Sequence, residues 1–296
     1  MQITIDPTAG FCTGVEHSIR IAEEELEKGQ PLYCLGEIIH NAQEINRLRG
    51  KGLQFIDLSV LKQLKSVRVL IRAHGEPPET YRIAKENNIT LIDTTCGTVS
   101  NLQRRIREER ARSLPDEAQV VIAGREDHPE VIGLSGQIQG GAEIIASEDD
   151  LDKIDFRKPV FLCSQTTFNA SRFEAIREQA VKLSLDIPEE ERGQLRIFNT
   201  ICRQVRRREK TLAEFSGNHD VIVFISDPTS SNGKFLFSIC REHNPSSFFI
   251  TEPGELQTKW FSEVRSAGIT GATSTPLWLL QKVAGKITEI VSSQQD

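Results

Sequence analysis

Two features of the sequence predict an α/β protein made of three similar units, each with a small parallel sheet. Short, continuously apolar runs alternate with helical patterns along almost the whole chain, as strands do when helices cover both faces of a parallel sheet. An apolar strand followed by Asp or Asn, Thr, any residue, Cys and a helix also recurs. It occurs as "LIDTTCGTV" (91–99) and "IFNTICRQV" (197–205), with "TIDPTAGFCTGV" (4–15) as a longer version.

In chain order, "ITI" (3–5) leads through Cys12 into a helical stretch, "GVEHSIRIAEEELEKG" (14–29). Strands are predicted at "PLYCL" (31–35), "VRVLI" (67–71), "ITLID" (89–93), "VVIAG" (120–124) and "PVFLC" (159–163), then a helix at "SRFEAIREQAVKLSL" (171–185). Further strands follow at "LRIFN" (195–199), "VIVFI" (221–225) and "SSFFI" (246–250), with a closing helix at "TPLWLLQKVAGKITEIV" (275–291). The gaps between junction cysteines are each long enough for three or four strands with helices. The expected units are 13–96, 97–201, and 202–296 joined by 1–12, because the last span otherwise lacks a strand leading into a cysteine.

At 296 residues the chain can bury a large core. Its net charge of −6 argues against nucleic acid or an anionic membrane as the main partner. No apolar run approaches the ~18 residues of a membrane helix. The start, "MQITIDPTAG", has neither the basic residues nor the apolar stretch of an export signal. Six cysteines in so long a chain do not read as a disulfide scaffold, so a cytoplasmic protein with reduced thiols is expected. Such cysteines are structural, catalytic or metal ligands.

Parallel α/β sheets bind ligands in the loops beyond the carboxyl ends of their strands, and here those loops share a chemistry. His40 follows the 31–35 strand, His74 the 67–71 strand, and His128 with Glu130 the 120–124 strand. Thr166 and Thr167 follow 159–163, Ser230, Ser231 and Asn232 follow 221–225, and Ser274 precedes the last helix. Singly, each suits a helix cap or a surface loop. Together they make a donor-rich, mostly uncharged lining for phosphate oxygens, to which helix N-termini add attraction. "SSNGK" (230–234) lacks the leading Gly and following Ser/Thr of a P-loop. Glu130 suits either the first turn of a helix after Pro129 or, beside an anion, a carboxyl of raised pKa that delivers a proton.

Cys34 and Cys163 lie within apolar strands and Cys240 in a helical pattern, where core packing accounts for them. Cys12, Cys96 and Cys202 stand instead between a strand and a helix. That position favours a thiolate, although a small buried hydrophobe fits it too. Three units packed around a common axis would bring these thiols to one metal. The chain lacks the CxxC spacing of structural zinc. Iron–sulfur clusters are held by cysteine thiolates, usually four, and three would leave one iron of a [4Fe–4S] cluster open as a Lewis acid. Beside a diphosphate pocket, that suits reductive removal of a hydroxyl from an allylic diphosphate.

These residues sit in motifs by which the chain resembles the 4-hydroxy-3-methylbut-2-enyl diphosphate reductases, the LytB-type iron–sulfur enzymes ending the non-mevalonate isoprenoid pathway. The motifs are "GFCTGV", "IIHN", "AHG", "TTC", "HPEV", "QTT", "TIC", "SSN" and "GATSTP", in family order from residue 10 to residue 276. The resemblance implies a trefoil of three α/β units in pseudo-three-fold arrangement around a [4Fe–4S] cluster held by Cys12, Cys96 and Cys202. It implies that His40, His74, His128, Ser230, Ser231, Asn232 and Ser274 hold the diphosphate, with Thr166 at the hydroxyl end and Thr167 beside it. Glu130, Thr166 and His128 would form the catalytic set, Glu130 supplying protons. Two electrons, from ferredoxin or flavodoxin, and two protons would expel water and give isopentenyl and dimethylallyl diphosphates.

Three departures stand beside the cluster residues: Gly97 where the family usually has Pro, "RQVRRREK" (203–210) where it usually has a Thr/Asn-Arg-Gln stretch, and His17 where Arg is common. None removes a ligand or the proton donor. Arg104, Arg105 and Arg107 after Cys96, and Arg203, Arg206, Arg207 and Arg208 after Cys202, fit solvated helix faces, but some of them are expected to form a basic rim that docks an acidic ferredoxin. Two other functions fit the residues. A cluster-dependent dehydratase would use the open iron without net electrons, and a phosphate-binding or cluster-carrier protein would turn nothing over.

Overall fold

A computed structural model describes residues 1–112 and 118–293. The chain begins β1 (Gln2–Ile5), α1 (Thr13–Leu26), β2 (Leu32–Leu35), α2 (Ala42–Gly50), β3 (Leu53–Ile56), α3 (Leu58–Leu61), β4 (Arg68–Ile71), α4 (Pro78–Glu86) and β5 (Thr90–Asp93). It continues α5 (Gly97–Ala111), β6 (Gln119–Ala123), α6 (Pro129–Ser135), β7 (Glu143–Ile145), β8 (Val160–Ser164), α7 (Ala170–Leu185) and β9 (Leu195–Ile197). The last part is α8 (Arg203–Gly217), β10 (Val221–Ile225), α9 (Ser231–His243), β11 (Ser247–Ile250), β12 (Ser266–Gly271) and α10 (Leu277–Ser292). Among the described residues no helix is long and apolar enough to cross a membrane.

The strands form three parallel four-stranded sheets, ordered β1-β12-β10-β11, β3-β2-β4-β5 and β7-β6-β8-β9. The strand that leads into Cys12 joins the C-terminal sheet, pairing Gln2 with Ser266 through Ile5 with Ile269.

By contact the chain divides into two compact units. The first comprises Met1–Gln30, Glu37–Leu53 and Gln204–Asp296 and contains the β1-β12-β10-β11 sheet. Alternate residues of β10 point to opposite faces, as the strand period of two requires. Val221, Val223 and Ile225 pack with Leu279, Leu280, Val283 and Ile287 of α10. Ile222 and Phe224 pack with Leu212 of α8 and Leu236 of α9. Burial of these side chains contributes roughly 1.5–3 kcal/mol each.

The second unit, Pro31–Gly36 and Gln54–Arg203, carries the other two sheets. Val69 and Ile71 of β4 meet Ile83 and Ala84 of α4. Val120 and Ile122 of β6 meet Leu102 and Ile106 of α5 and Val131 and Leu134 of α6. Thus α5, which follows β5 of one sheet, covers the next sheet along the chain, and α8, which follows β9, likewise covers β10. The helices after Cys96 and Cys202 each cover the sheet that follows them in the chain.

Candidate active site

In both units the candidate residues lie beyond the carboxyl ends of strands, and three backbone bonds organise them. The N–H of Cys12 donates to Thr273 O at 3.2 Å, that of Cys96 to Ala73 O at 3.0 Å, and that of Cys202 to Thr166 O at 2.8 Å. Each cysteine loop is therefore fastened at, or one residue before, a predicted binding residue: Ser274, His74 and Thr166.

The two kinds of cysteine separate cleanly. Cys34, Cys163 and Cys240 are fully buried in the cores, whereas Cys12, Cys96 and Cys202 are half-buried. Burial pushes the Cys34 thiol up to about 12 and that of Cys240 to about 11, and raises Cys163 as well. Those three stay protonated and inert. Cys12, with extended backbone, caps α1, Cys96 caps α5, and Cys202 immediately precedes α8. Each therefore stands where a helix leaves its first N–H groups without an intrahelical partner.

In the second unit Glu130 and Thr166 meet deep below the surface. Glu130 is 2% exposed and Thr166 5%. The Thr166 N–H donates to Oε1 of Glu130 at 2.6 Å, and its hydroxyl donates to Oε2 at 2.8 Å. Burial lifts the Glu130 carboxyl to about 7, while the two Thr166 bonds pull the other way. Desolvation wins, because among the described residues no cation stands against the carboxyl. Glu130 does stand in the first turn of α6 after Pro129, but turned inward rather than to solvent. His128 caps that helix, its Nδ1 accepting the Glu130 N–H at 3.1 Å. The neutral ring then carries its proton on Nε2, which makes Nε2 a donor. His74 lies edge-on to His128, ring centroids 5.3 Å apart. Thr167 Oγ1 accepts from Nε2 of the buried Gln165 at 2.8 Å.

In the first unit Ser230, Ser231 and Asn232 open α9. Oγ of Ser230 accepts the Gly233 N–H at 3.0 Å, so this hydroxyl is a helix cap whose own proton stays available to donate. Thr273, which the sequence reading missed, donates through its hydroxyl to Oδ1 of Asn232 at 3.0 Å. That leaves the buried Nδ2 of Asn232, and the buried Oγ of Ser274, with no hydrogen-bond partner among the described residues. His40 precedes Asn41, whose side chain caps α2 at Glu44 N. The Ala42 N–H reaches Asp227, bringing this turn to the loop of Ser230.

One expectation is corrected. Arg208 belongs to no surface rim: it is 5% exposed and pairs with Asp6 at 2.6 Å. Val205, Arg208, Leu212 and Ser216 are the buried stripe of α8, a helical spacing visible in the sequence but masked by the run of arginines. Arg105 lies 4.2 Å from the centre of the Phe198 ring, and Arg107 bonds Gln137.

The chain matches the family model described as LytB protein over residues 3–288. It is 44% identical to the 4-hydroxy-3-methylbut-2-enyl diphosphate reductase of Bacteroides thetaiotaomicron, over 98% of this chain and 99% of that one. It is 45% identical to the enzyme of the same name from Porphyromonas gingivalis, over 98% and 100%. A solved structure of (E)-4-hydroxy-3-methyl-but-2-enyl diphosphate reductase, the terminal enzyme of the non-mevalonate pathway, aligns with TM-score 0.72 at 30% identity, covering 97% of this chain and 99% of that one. The fold is also that of the E-1-hydroxy-2-methyl-but-2-enyl-4-diphosphate reductase from Plasmodium falciparum, with TM-score 0.82 at 24% identity over 97% and 88%.

Proposed function

The chain belongs to the LytB family, and we propose accordingly that it is a 4-hydroxy-3-methylbut-2-enyl diphosphate reductase, the last enzyme of the non-mevalonate route. The C–O bond of the allylic alcohol breaks, two electrons and two protons enter, and water leaves with isopentenyl or dimethylallyl diphosphate. The observation that carries this reading is the run from Glu130 through Thr166 to Cys202: a buried protonatable carboxyl, a threonine bonded to both its oxygens, and a cysteine N–H on that threonine's carbonyl.

Cys12, Cys96 and Cys202 fit an iron–sulfur cluster, as three half-buried thiols at the starts of helices, and we assign them as its ligands. Bound there, a [4Fe–4S] cluster supplies electrons together with one iron that has no protein ligand. Glu130, protonated below about 7, holds a proton that the Thr166 hydroxyl can pass toward the leaving oxygen. The diphosphate is anchored by His40, His74, His128, Ser230, Ser231, Asn232 and Ser274, and Thr167 belongs to the substrate-binding set beside Thr166. The unpartnered donors on Asn232 and Ser274 support this, because a buried donor costs about 1–3 kcal/mol until a ligand satisfies it. Electrons come from a ferredoxin or flavodoxin in the cytoplasm. The three-unit division 13–96, 97–201 and 202–296 with 1–12 belongs to the same proposal, and each sheet falls within one of these spans.

The test is anaerobic purification with iron and sulfide analysis, then a dye-coupled assay with the allylic diphosphate. Reductant consumed in step with product is the expected result. Product without reductant would establish a dehydratase, and binding without turnover a carrier.

A further inference from the structure

The loop between β1 and α1 that presents Cys12 is held by a buried charge network that no expected role uses. Asp6 is 2% exposed and Arg208 5%. Nη1 of Arg208 reaches Oδ2 of Asp6 at 2.6 Å and also bonds the Thr8 hydroxyl, while Nη2 donates to Oγ1 of Thr270 at 2.6 Å. Thr270 donates to the same Asp6 oxygen at 2.9 Å, and the other oxygen accepts from Thr8 N and Oγ1 at 2.8 and 2.7 Å. One turn before Arg208 on α8, Oε1 of Gln204 accepts from Thr13 N at 3.3 Å. One face of the helix that opens after Cys202 thus grips the loop from Asp6 to Thr13.

A buried ion pair is a poor device for stability, since well-packed apolar residues often do as well or better. Here Thr8 and Thr270 add hydrogen bonds to both partners, tying the loop before Cys12 to α8, which points to geometry instead.

We propose that Arg208 and Asp6 are positioning residues that fix the segment presenting Cys12 and so set how tightly the metal group is held. This rests on the assignment of Cys12 as a ligand. Groups outside the ligand shell commonly change metal affinity by roughly 10–100-fold.

The experiment compares the native protein with Asp6→Asn/Arg208→Met, which removes both charges so that neither is left buried alone, and with Cys12→Ser. Each is reconstituted anaerobically and measured for iron content, for bleaching by a chelator well below the unfolding temperature, and for the spin-resonance signal of the reduced state. The double variant is expected to load iron but to bleach on the order of tenfold faster, with a changed signal, while Cys12→Ser loses the cluster. Native bleaching and signal in the double variant, alongside cluster loss in Cys12→Ser, would overturn the positioning role alone. Native iron in Cys12→Ser would overturn the ligand assignment and the inference with it. If the double variant does not accumulate, Thr270→Val serves: faster bleaching is expected, and a native rate overturns the proposal.

Discussion

Both carboxylate oxygens of Glu130 are hydrogen-bonded by one residue, Thr166, through its N–H at 2.6 Å and its hydroxyl at 2.8 Å. The side chain is thereby fixed in one orientation without a counter-charge. Glu130→Gln keeps the shape and can still accept the Thr166 N–H, but has no proton of suitable acidity. We expect the rate to fall roughly 10²–10⁴-fold with iron content and KM little changed. Steady-state kinetics on protein of matched iron content decides it. A loss of iron in step with the loss of rate would assign Glu130 to cluster stability instead.

The same carboxyl predicts a pH dependence. Its ordinary value of 4.5 is raised to about 7 by burial, so the folded state binds the proton more tightly than the unfolded one. The associated stability is fully present below 4.5 and is lost as pH rises to about 7, on the order of 3 kcal/mol in all. Denaturant midpoints for native protein and Glu130→Gln should therefore diverge between these limits and run parallel above them. In kcat/KM the native enzyme should lose activity above about 7, where its donor is ionised, and Thr166→Val should move that limb to higher pH by removing a bond that favours the anion. A limb unmoved in Thr166→Val would place the titration elsewhere.

Asn232 divides its amide between two tasks, Oδ1 accepting from Thr273 while the buried Nδ2 has no partner among the described residues. Asn232→Asp keeps the acceptor and turns the donor into an anion facing the diphosphate. We expect KM to rise roughly 10–100-fold, as for loss of a hydrogen bond to a charged group, with thermal stability near native. An unchanged KM would remove Asn232 from the binding site.

Much of this was legible in the sequence, and the omissions have physical causes. Strands such as β10, buried throughout, betray themselves as continuous apolar runs. β3 and β7 stand at sheet edges, where four and three residues with exposed polar positions suffice. β12 is central and buried, yet its sequence is SAGITG. A Cβ on Gly268 would come within 2.6 Å of Ile222, and one on Gly271 within 2.6 Å of Ile225 O. Neighbouring side chains fill the space and leave the strand without apolar bulk to recognise. Site residues were legible because strand-end loops concentrate them. Which of their atoms are already taken, as with Ser230 and Asn232, is a matter of side-chain geometry that no motif records. Arg208 was misplaced because charge is an average guide to exposure, and its buried partner lies 202 residues away.

Gly97, the departure beside Cys96, is open to a direct test. It is the first residue of α5, where proline is favoured because the N–H needs no helical partner. A proline also restricts the residue before it to extended backbone, and Cys96 already has φ −57° and ψ 135°. A Cβ at Gly97 meets nothing within 4 Å. Gly97→Pro should thus raise stability by about 0.4–1 kcal/mol, by narrowing the unfolded ensemble, and leave iron content and turnover as they are. Denaturant unfolding of both proteins measures the first, and iron analysis with the dye-coupled assay the second. A gain in stability accompanied by loss of iron would mean that the Gly97 N–H itself serves the bound sulfur, and that glycine is kept here for its donor rather than for its freedom.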